Sequence, residues 1–265
     1  VNLLVIGAHP DDGEYRVAGT AVKLAARGHR VKFLNLTDGG AGHHEISGPA
    51  LAARREKESA ESRRRLGIDA IETWSVPDGE LMPTLELRRE VIRRIREWQA
   101  DVVITHRPND YHPDHRYCSV LVQDAAFMVT VPAACPDAPL LRVNPIFLYM
   151  EDEFTKPNPF TPDIVVAIDD VWDRKVASLD AHESQFYEWL PWLEGELAET
   201  PVDRRARREW LSRKLTRPLA PAVRTALERR YGLECAASIQ HAEAFELCEY
   251  GRRPTAQEIA SLFPA

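Results

Sequence analysis

The chain has 265 residues, 44% hydrophobic and 28% charged, with a formal net charge of −7, and no uncharged apolar run reaches the ~20 residues of a membrane span. A chain of this length can fold as one α/β domain that buries roughly three quarters of its unfolded surface, and the acidic balance argues against a general nucleic-acid binder. Cys118, Cys135, Cys235 and Cys248 show neither CxxC pairing nor disulfide spacing, and residues 2–6 read as a strand, not a secretory leader, so a cytoplasmic setting is expected.

Residues 2–8 form a short apolar run of the kind that is buried on both faces of a sheet. Val17, Ala21, Leu24 and Ala25 then repeat at helical spacing over 15–27, and Gly28 follows as a cap. A second strand is expected at 31–36, a helix at 50–66 closed by Gly67, a third strand at 71–76, a helix at 84–99 and a fourth strand at 101–105. The alternation predicts a Rossmann-like, mostly parallel sheet with helices on both faces and right-handed crossovers. Further strands are expected at 146–150 and 164–168, and a helix at 172–186. No clean boundary divides the chain. The expectation is one domain over 1–265, with a core over about 2–190 and a helical C-terminal extension over about 191–265. Acidic residues crowd 180–200 and basic ones 203–230, which reads as solvated helix faces that pair with each other.

In such a sheet, ligands bind beyond the carboxyl ends of the strands. The first strand ends in His9-Pro10-Asp11-Asp12-Gly13-Glu14, and the fourth is followed by Asn109-Asp110-Tyr111-His112-Pro113-Asp114-His115. Neither G-x-G-x-x-G nor a Walker A sequence is present, so a nucleotide-dependent oxidoreductase is disfavoured. His9 and Asp12 can share a face as a turn enters a helix, and Asp11 between them must point elsewhere unless the turn is distorted. His112 and His115 are also co-facial, with Pro113 at a position that favours helix entry. Three N/O ligands with an open position are the pattern of a catalytic zinc site, although spacing alone does not choose between His112 and His115. Asp114 also reads as a residue that serves the first turn of its helix.

AHPDDGE (8–14) and DYHPDH (110–115) together resemble the PIG-L/LmbE-like zinc-dependent de-N-acetylases, a likeness that runs over roughly residues 2–190. The resemblance implies His9, Asp12 and His115 as metal ligands, Asp11 as general base, and His112 as the group that stabilises the oxyanion or assists proton transfer. It also implies Zn2+, with other divalent ions accepted by the same ligands. Some members carry a tyrosine two residues before the first histidine of the second motif; here Asp110 stands there, with Tyr111 beside it. Arg55 and Asp78 fall where members contact sugar hydroxyls, though Arg55 also reads as a surface partner of Glu58 and Asp78 as the start of a turn. Asp110, Asp114 and His182 are expected to stand behind the site and orient it, His182 on an H-x-S-Q mark.

The implied activity is removal of acetyl from an N-acetylglucosamine-type sugar or glycoside by metal-activated water. The partner is then a small N-acetylated amino sugar, with no nucleic acid and no membrane span, and a homo-oligomer is allowed. The alternatives are an amidase on a thiol-sugar conjugate and a non-catalytic metal- or sugar-binding protein. The run 186–192 reads as core packing or an oligomer contact, or as a lip over the pocket. His43 and His44 read as exposed loop histidines or a flap.

Overall fold

A computed structural model describes residues 1–263, so the last two positions of the expected 1–265 domain lie outside the described residues. Seven strands form one sheet: β1 (Asn2–Gly7), β2 (Arg30–Asn35), β3 (Ala70–Thr73), β4 (Val102–Thr105), β5 (Ile146–Met150), β6 (Ile164–Ala167) and β7 (Ala242–Leu247). Their spatial order is β3-β2-β1-β4-β5-β7-β6. The first five are parallel, and β7 runs antiparallel between β5 and β6. The helices are α1 (Asp12–Ala26), α2 (Pro49–Leu66), α3 (Leu85–Glu97), α4 (Pro113–Met128), α5 (Trp172–Leu179), α6 (Leu190–Glu194), α7 (Arg204–Leu215), α8 (Pro221–Tyr231), α9 (Leu233–Ser238) and α10 (Ala256–Leu262). None of them is long and apolar enough to cross a membrane.

The central strand is apolar on both sides because both sides are covered. Leu3 and Val5 of β1 pack with Val17, Ala18 and Ala21 of α1, whereas Leu4 and Ile6 pack with Val91 and Ile95 of α3 and Leu121 and Val122 of α4. The chain leaves β1 toward β2 on one side and returns through β4 on the other, so strand order reverses between β1 and β4. Crevices at such switch points, beyond the carboxyl strand ends, are where these sheets bind ligands.

Two expectations need correction. The C-terminal part is not helical throughout: β7 enters the sheet. Its sequence, AEAFEL, hides a buried strand behind two acids, because Glu243 is buried and receives Lys175 Nζ at 2.7 Å together with the backbone N–H groups of Gly19 and Thr20. The helix expected over 172–186 also breaks: α5 stops at Leu179, and Ser184–Trp189 winds as a π-helix, a form that recurs at functional sites. The acidic and basic blocks do meet, through Lys214 with Glu194 at 3.0 Å and with Glu196, and Arg207 with Glu183 at 3.8 Å.

Candidate metal centre and active-site cleft

The turn after β1 builds the first half of the site. Gly7 is required there, since a Cβ on it would lie 2.8 Å from the Cβ of Asp12. Asp11 takes a left-handed backbone, φ 106°, so the turn is distorted and the two aspartates diverge. Asp12 turns inward: its Oδ2 accepts the His9 N–H at 2.7 Å. Asp11 turns toward α2, where the Arg55 guanidinium meets its Oδ2 at 3.0 Å and also donates to the Pro10 and Gly39 carbonyls. Arg55 is buried and is no surface partner of Glu58, which instead accepts from Arg54 and from the N–H and hydroxyl of Ser184.

The second half enters with α4. Pro113 starts the helix and His112 caps it, its Nδ1 accepting the Asp114 N–H at 3.2 Å. One turn on, His115 points back to β1. Its Nε2 lies 3.2 Å from His9 Nδ1 and 3.4 Å from Asp12 Oδ1, and His9 Nδ1 is 3.6 Å from Asp12 Oδ2. Ligands about 2.0–2.1 Å from a tetrahedral zinc ion sit about 3.3–3.4 Å apart, so the pairwise separations are of ligand size, His115 meeting one carboxylate oxygen of Asp12 and His9 the other.

The far side of each histidine strengthens the fit. His115 Nδ1 is 3.0 Å from Asp110 Oδ1, and His9 Nε2 is in ion-pair range of Asp78 Oδ1 (3.1 Å) and Asp114 Oδ2 (3.4 Å), aligned with neither. Histidines that bind metals present their other N–H to carboxylates in this manner. In the tautomers that put those protons outward, the nitrogens facing each other at 3.2 Å present lone pairs to the space between them. A cation placed there would accept both lone pairs.

Charges in the cluster follow the same geometry. Burial opposes the ionised form of Asp12, but His115 and His106 hold its carboxyl well below the usual range. Burial alone would depress the His9 imidazole, yet Asp114, Asp12 and Asp78 raise it well above the ordinary value. Asp11 behaves in the opposite way to Asp12: burial pushes it up to about 6, with Arg55 opposing and Asp12 adding to the rise. His112 is lowered by burial and by its neighbours His9 and His115. With Nδ1 accepting a backbone N–H, its neutral ring carries the proton on Nε2.

Asp78, expected to read sugar hydroxyls, lines the cleft but is turned to His9, and its Oδ2 accepts the Ala41 N–H at 3.1 Å. Asp114 does not serve its own helix turn; it is fully buried and accepts the N–H groups of Gly79 and Leu81, fastening the Asp78 loop. His182 is buried, its Nε2 3.0 Å from Glu14 Oε1, which also receives the Ser62 hydroxyl. Tyr111 is exposed and edge-on to both His112 and His115.

Sequence reasoning missed His106, the first residue past β4. Its Nε2 is 3.1 Å from Asp12 Oδ2 and from the Ala8 backbone nitrogen, and its ring stacks on His115 at 4.1 Å. Among the described residues, three groups offer ligand atoms that all lie within 4.8 Å of one another: Asp12, His106 and His115; His9, His112 and His115; and His9, Asp78 and Asp114. The strand-end position of His106 was the available signal.

The cluster lies in a cleft of about 440 Å³, whose rim includes Gln185, Phe186 and Trp189 of the π-helical segment. The run 186–192 therefore divides: Phe186 and Tyr187 join a buried cluster, while Trp189 stacks on Trp192 at 5.4 Å beside the opening. His43 and His44 are neither exposed nor free. His43 Nε2 meets Glu188 at 2.8 Å, and His44 stacks on Trp192 at 5.2 Å.

The sequence profile of the PIG-L family, GlcNAc-PI de-N-acetylase, matches residues 4–126. A diacetylchitobiose deacetylase from Thermococcus kodakarensis is 34% identical over 203 residues, 72% of this chain and 74% of that protein. The solved structure of N,N'-diacetylchitobiose deacetylase from Pyrococcus horikoshii shares 25% identity with a TM-score of 0.67, covering 94% of this chain and 84% of that one. The 4-carboxy-2-hydroxymuconate hydratase from Pseudomonas putida KT2440 has a TM-score of 0.74 at 20% identity, covering 96% and 98%. That last likeness is one of fold, which hosts more than one chemistry.

Proposed function

The chain belongs to the GlcNAc-PI de-N-acetylase (PIG-L) family, and from that premise we propose that it removes the N-acetyl group from an N-acetylglucosamine-type sugar or glycoside, using one divalent cation. The reading rests on one observation: His9, Asp12 and His115 bring imidazole nitrogens and both carboxylate oxygens of Asp12 to pairwise separations of 3.2–3.6 Å in the lining of an open cleft. Those three residues would hold the cation, and two imidazoles with a carboxylate suit zinc, which supplies Lewis acidity that lowers the pKa of water and polarises a carbonyl.

The chain's own groups do the rest. Asp11, lifted to about 6, is suited to take a proton from the attacking water near neutral pH. Arg55 fixes that carboxylate from behind. Nε2–H of His112 donates to the acetyl oxygen as it gains charge, so a neutral imidazole suffices. The C–N bond then breaks, the nitrogen takes the proton held by Asp11, and acetate and a free amine leave. The names of the deacetylase relatives support the substrate class.

The test is a panel of N-acetylated sugars and glycosides assayed for released acetate, before and after chelation and after zinc is restored. Release that stops on chelation and returns with the metal is expected. A zinc-loaded protein that releases acetate from none of them would overturn the proposal.

A further inference from the structure

The segment between β2 and α2, residues 38–48, lies at the same sheet edge as the metal cluster and contributes Gly42 to the lining of the cleft. The Gly48 N–H donates to the Gly40 carbonyl at 2.7 Å, so the two ends of the excursion lie side by side. Each end carries a glycine with positive φ, 68° at Gly39 and 60° at Gly48, a conformation that a side chain would strain. None of residues 38–48 joins a buried apolar cluster among the described residues. Hydrogen bonds and ring stacking hold the segment, and a segment held in that way opens at lower free energy than the core around it.

Its inner side touches the residues that orient the metal cluster and the base. The Gly39 carbonyl accepts from Arg55 Nη1 at 3.3 Å, with no room for a Cβ beside that guanidinium, and Arg55 in turn holds Asp11. The Ala41 N–H donates to Asp78 Oδ2 at 3.1 Å, and the other oxygen of Asp78 faces His9. The outer side meets the rim. His43 Nδ1 accepts the N–H groups of Glu45 and Ile46 at 3.0 and 3.3 Å, which leaves the proton of the neutral ring on Nε2. That N–H donates to Glu188 Oε2 at 2.8 Å, and Arg54 grips the same carboxylate with both terminal nitrogens at 2.6 and 2.7 Å. Gln185 Nε2 donates to the Gly42 carbonyl at 3.0 Å, and His44 stacks on Trp192.

Gly42 alone separates Ala41 from His43, so the hold on Asp78 and the hold on Glu188 belong to one short span of backbone. Opening at the glycine ends would widen the cleft at Gly42 and withdraw the Ala41 N–H from Asp78. Closing restores that contact as it narrows the entrance.

We infer that residues 39–48 form a lid over the metal cleft, latched by His43 onto Glu188, and that closing the latch sets Asp78 against His9. His43 and Glu188 are then positioning residues, which act through Ala41 and Asp78. The inference rests on the deacetylase reading only for the reaction whose rate is affected. Residue-resolved amide exchange of the zinc-loaded protein tests it without turnover. Glu188→Ala removes the acceptor of the His43 Nε2–H and leaves the backbone donors to Nδ1 in place. Exchange at Glu45, Ile46 and, one step further in, Ala41 should quicken at least about tenfold, while β1 and β4 keep their protection. Glu188→Gln, whose side-chain oxygen still accepts that N–H, should stay near the wild-type rates. In acetate release at saturating zinc, Glu188→Ala should lower kcat about 10–100-fold with KM nearly unchanged, and Glu188→Gln should recover most of the loss. Wild-type exchange at Ala41, a Gln variant that falls as far as the Ala variant, or a loss confined to KM would overturn the lid. So would exchange quickened across the whole sheet, which would make Glu188 a support of the fold. Exchange of the expected kind in a wild-type protein that releases no acetate would uphold the lid and sink the deacetylase reading.

Discussion

Replacing Asp11 with Asn should make the metal-free protein more stable at neutral pH while disabling it. The backbone tolerates the change, since Asn accepts a left-handed conformation about as readily as Asp. The carboxyl is only 18% exposed, next to the negative Asp12, and Arg55 offsets only part of that environment. Its folded value of about 6 lies above the ordinary 3.8, so ionisation disfavours the folded state. The wild-type side chain therefore contributes its full stability below about pH 4 and loses it as pH rises through about 6. The difference corresponds to at most about 3 kcal/mol. Asn cannot ionise and keeps what Asp loses. Urea unfolding of both proteins in chelator at pH 4 and pH 7.5 reads the effect directly. Asp11→Asn should match the wild type or fall slightly below it at pH 4, and exceed it at pH 7.5. Saturating zinc should shrink the gap, because a nearby cation favours the ionised carboxylate. Turnover should fall about 10²–10⁴-fold with zinc still bound. If the variant were destabilised equally at both pH values, the Arg55 contact would outweigh burial and the reasoning would be refuted.

Two further substitutions separate roles that share the cluster. Asp110→Ala should weaken zinc binding about 10–100-fold, read by competition with a chromophoric chelator, because it frees the Nδ1 side of His115; unchanged affinity would mean that other contacts hold the ring. Asp78→Ala should lower kcat/KM by a similar factor on an N-acetylated sugar and on a small sugar-free acetamide, since Asp78 faces His9; a loss confined to the sugar would return Asp78 to substrate recognition.

The sheet and the two histidine–aspartate clusters were legible because both follow from one-dimensional pattern. Apolar runs mark β1 and β4, and a switch point brings their ends together whatever the loops do. The directions of individual side chains were not legible. Asp11 and Asp12 are neighbours in sequence, and only a positive φ at Asp11 sends one to Arg55 and the other to His115. Arg55 lies on a helix where Glu58 offers an obvious local partner, yet tertiary contacts claim both: Ser184 draws Glu58 away, and Asp11 takes Arg55. Glu243 disguises a buried strand because its three donors come from residues 19, 20 and 175.

The same distinction explains where specificity can reside. His9 lies just beyond β1, and Asp12 and His115 lie on the first turns of α1 and α4, so local backbone geometry brings them together and their spacing leaves a motif. Residues that read the rest of a substrate need only reach the cleft from whichever loop is near. Glu151 and Arg16 lie 135 positions apart and belong to no motif. Both line the cleft, and neither makes a hydrogen bond or ion pair among the described residues. Such a pair becomes visible only when every neighbouring charge has been assigned.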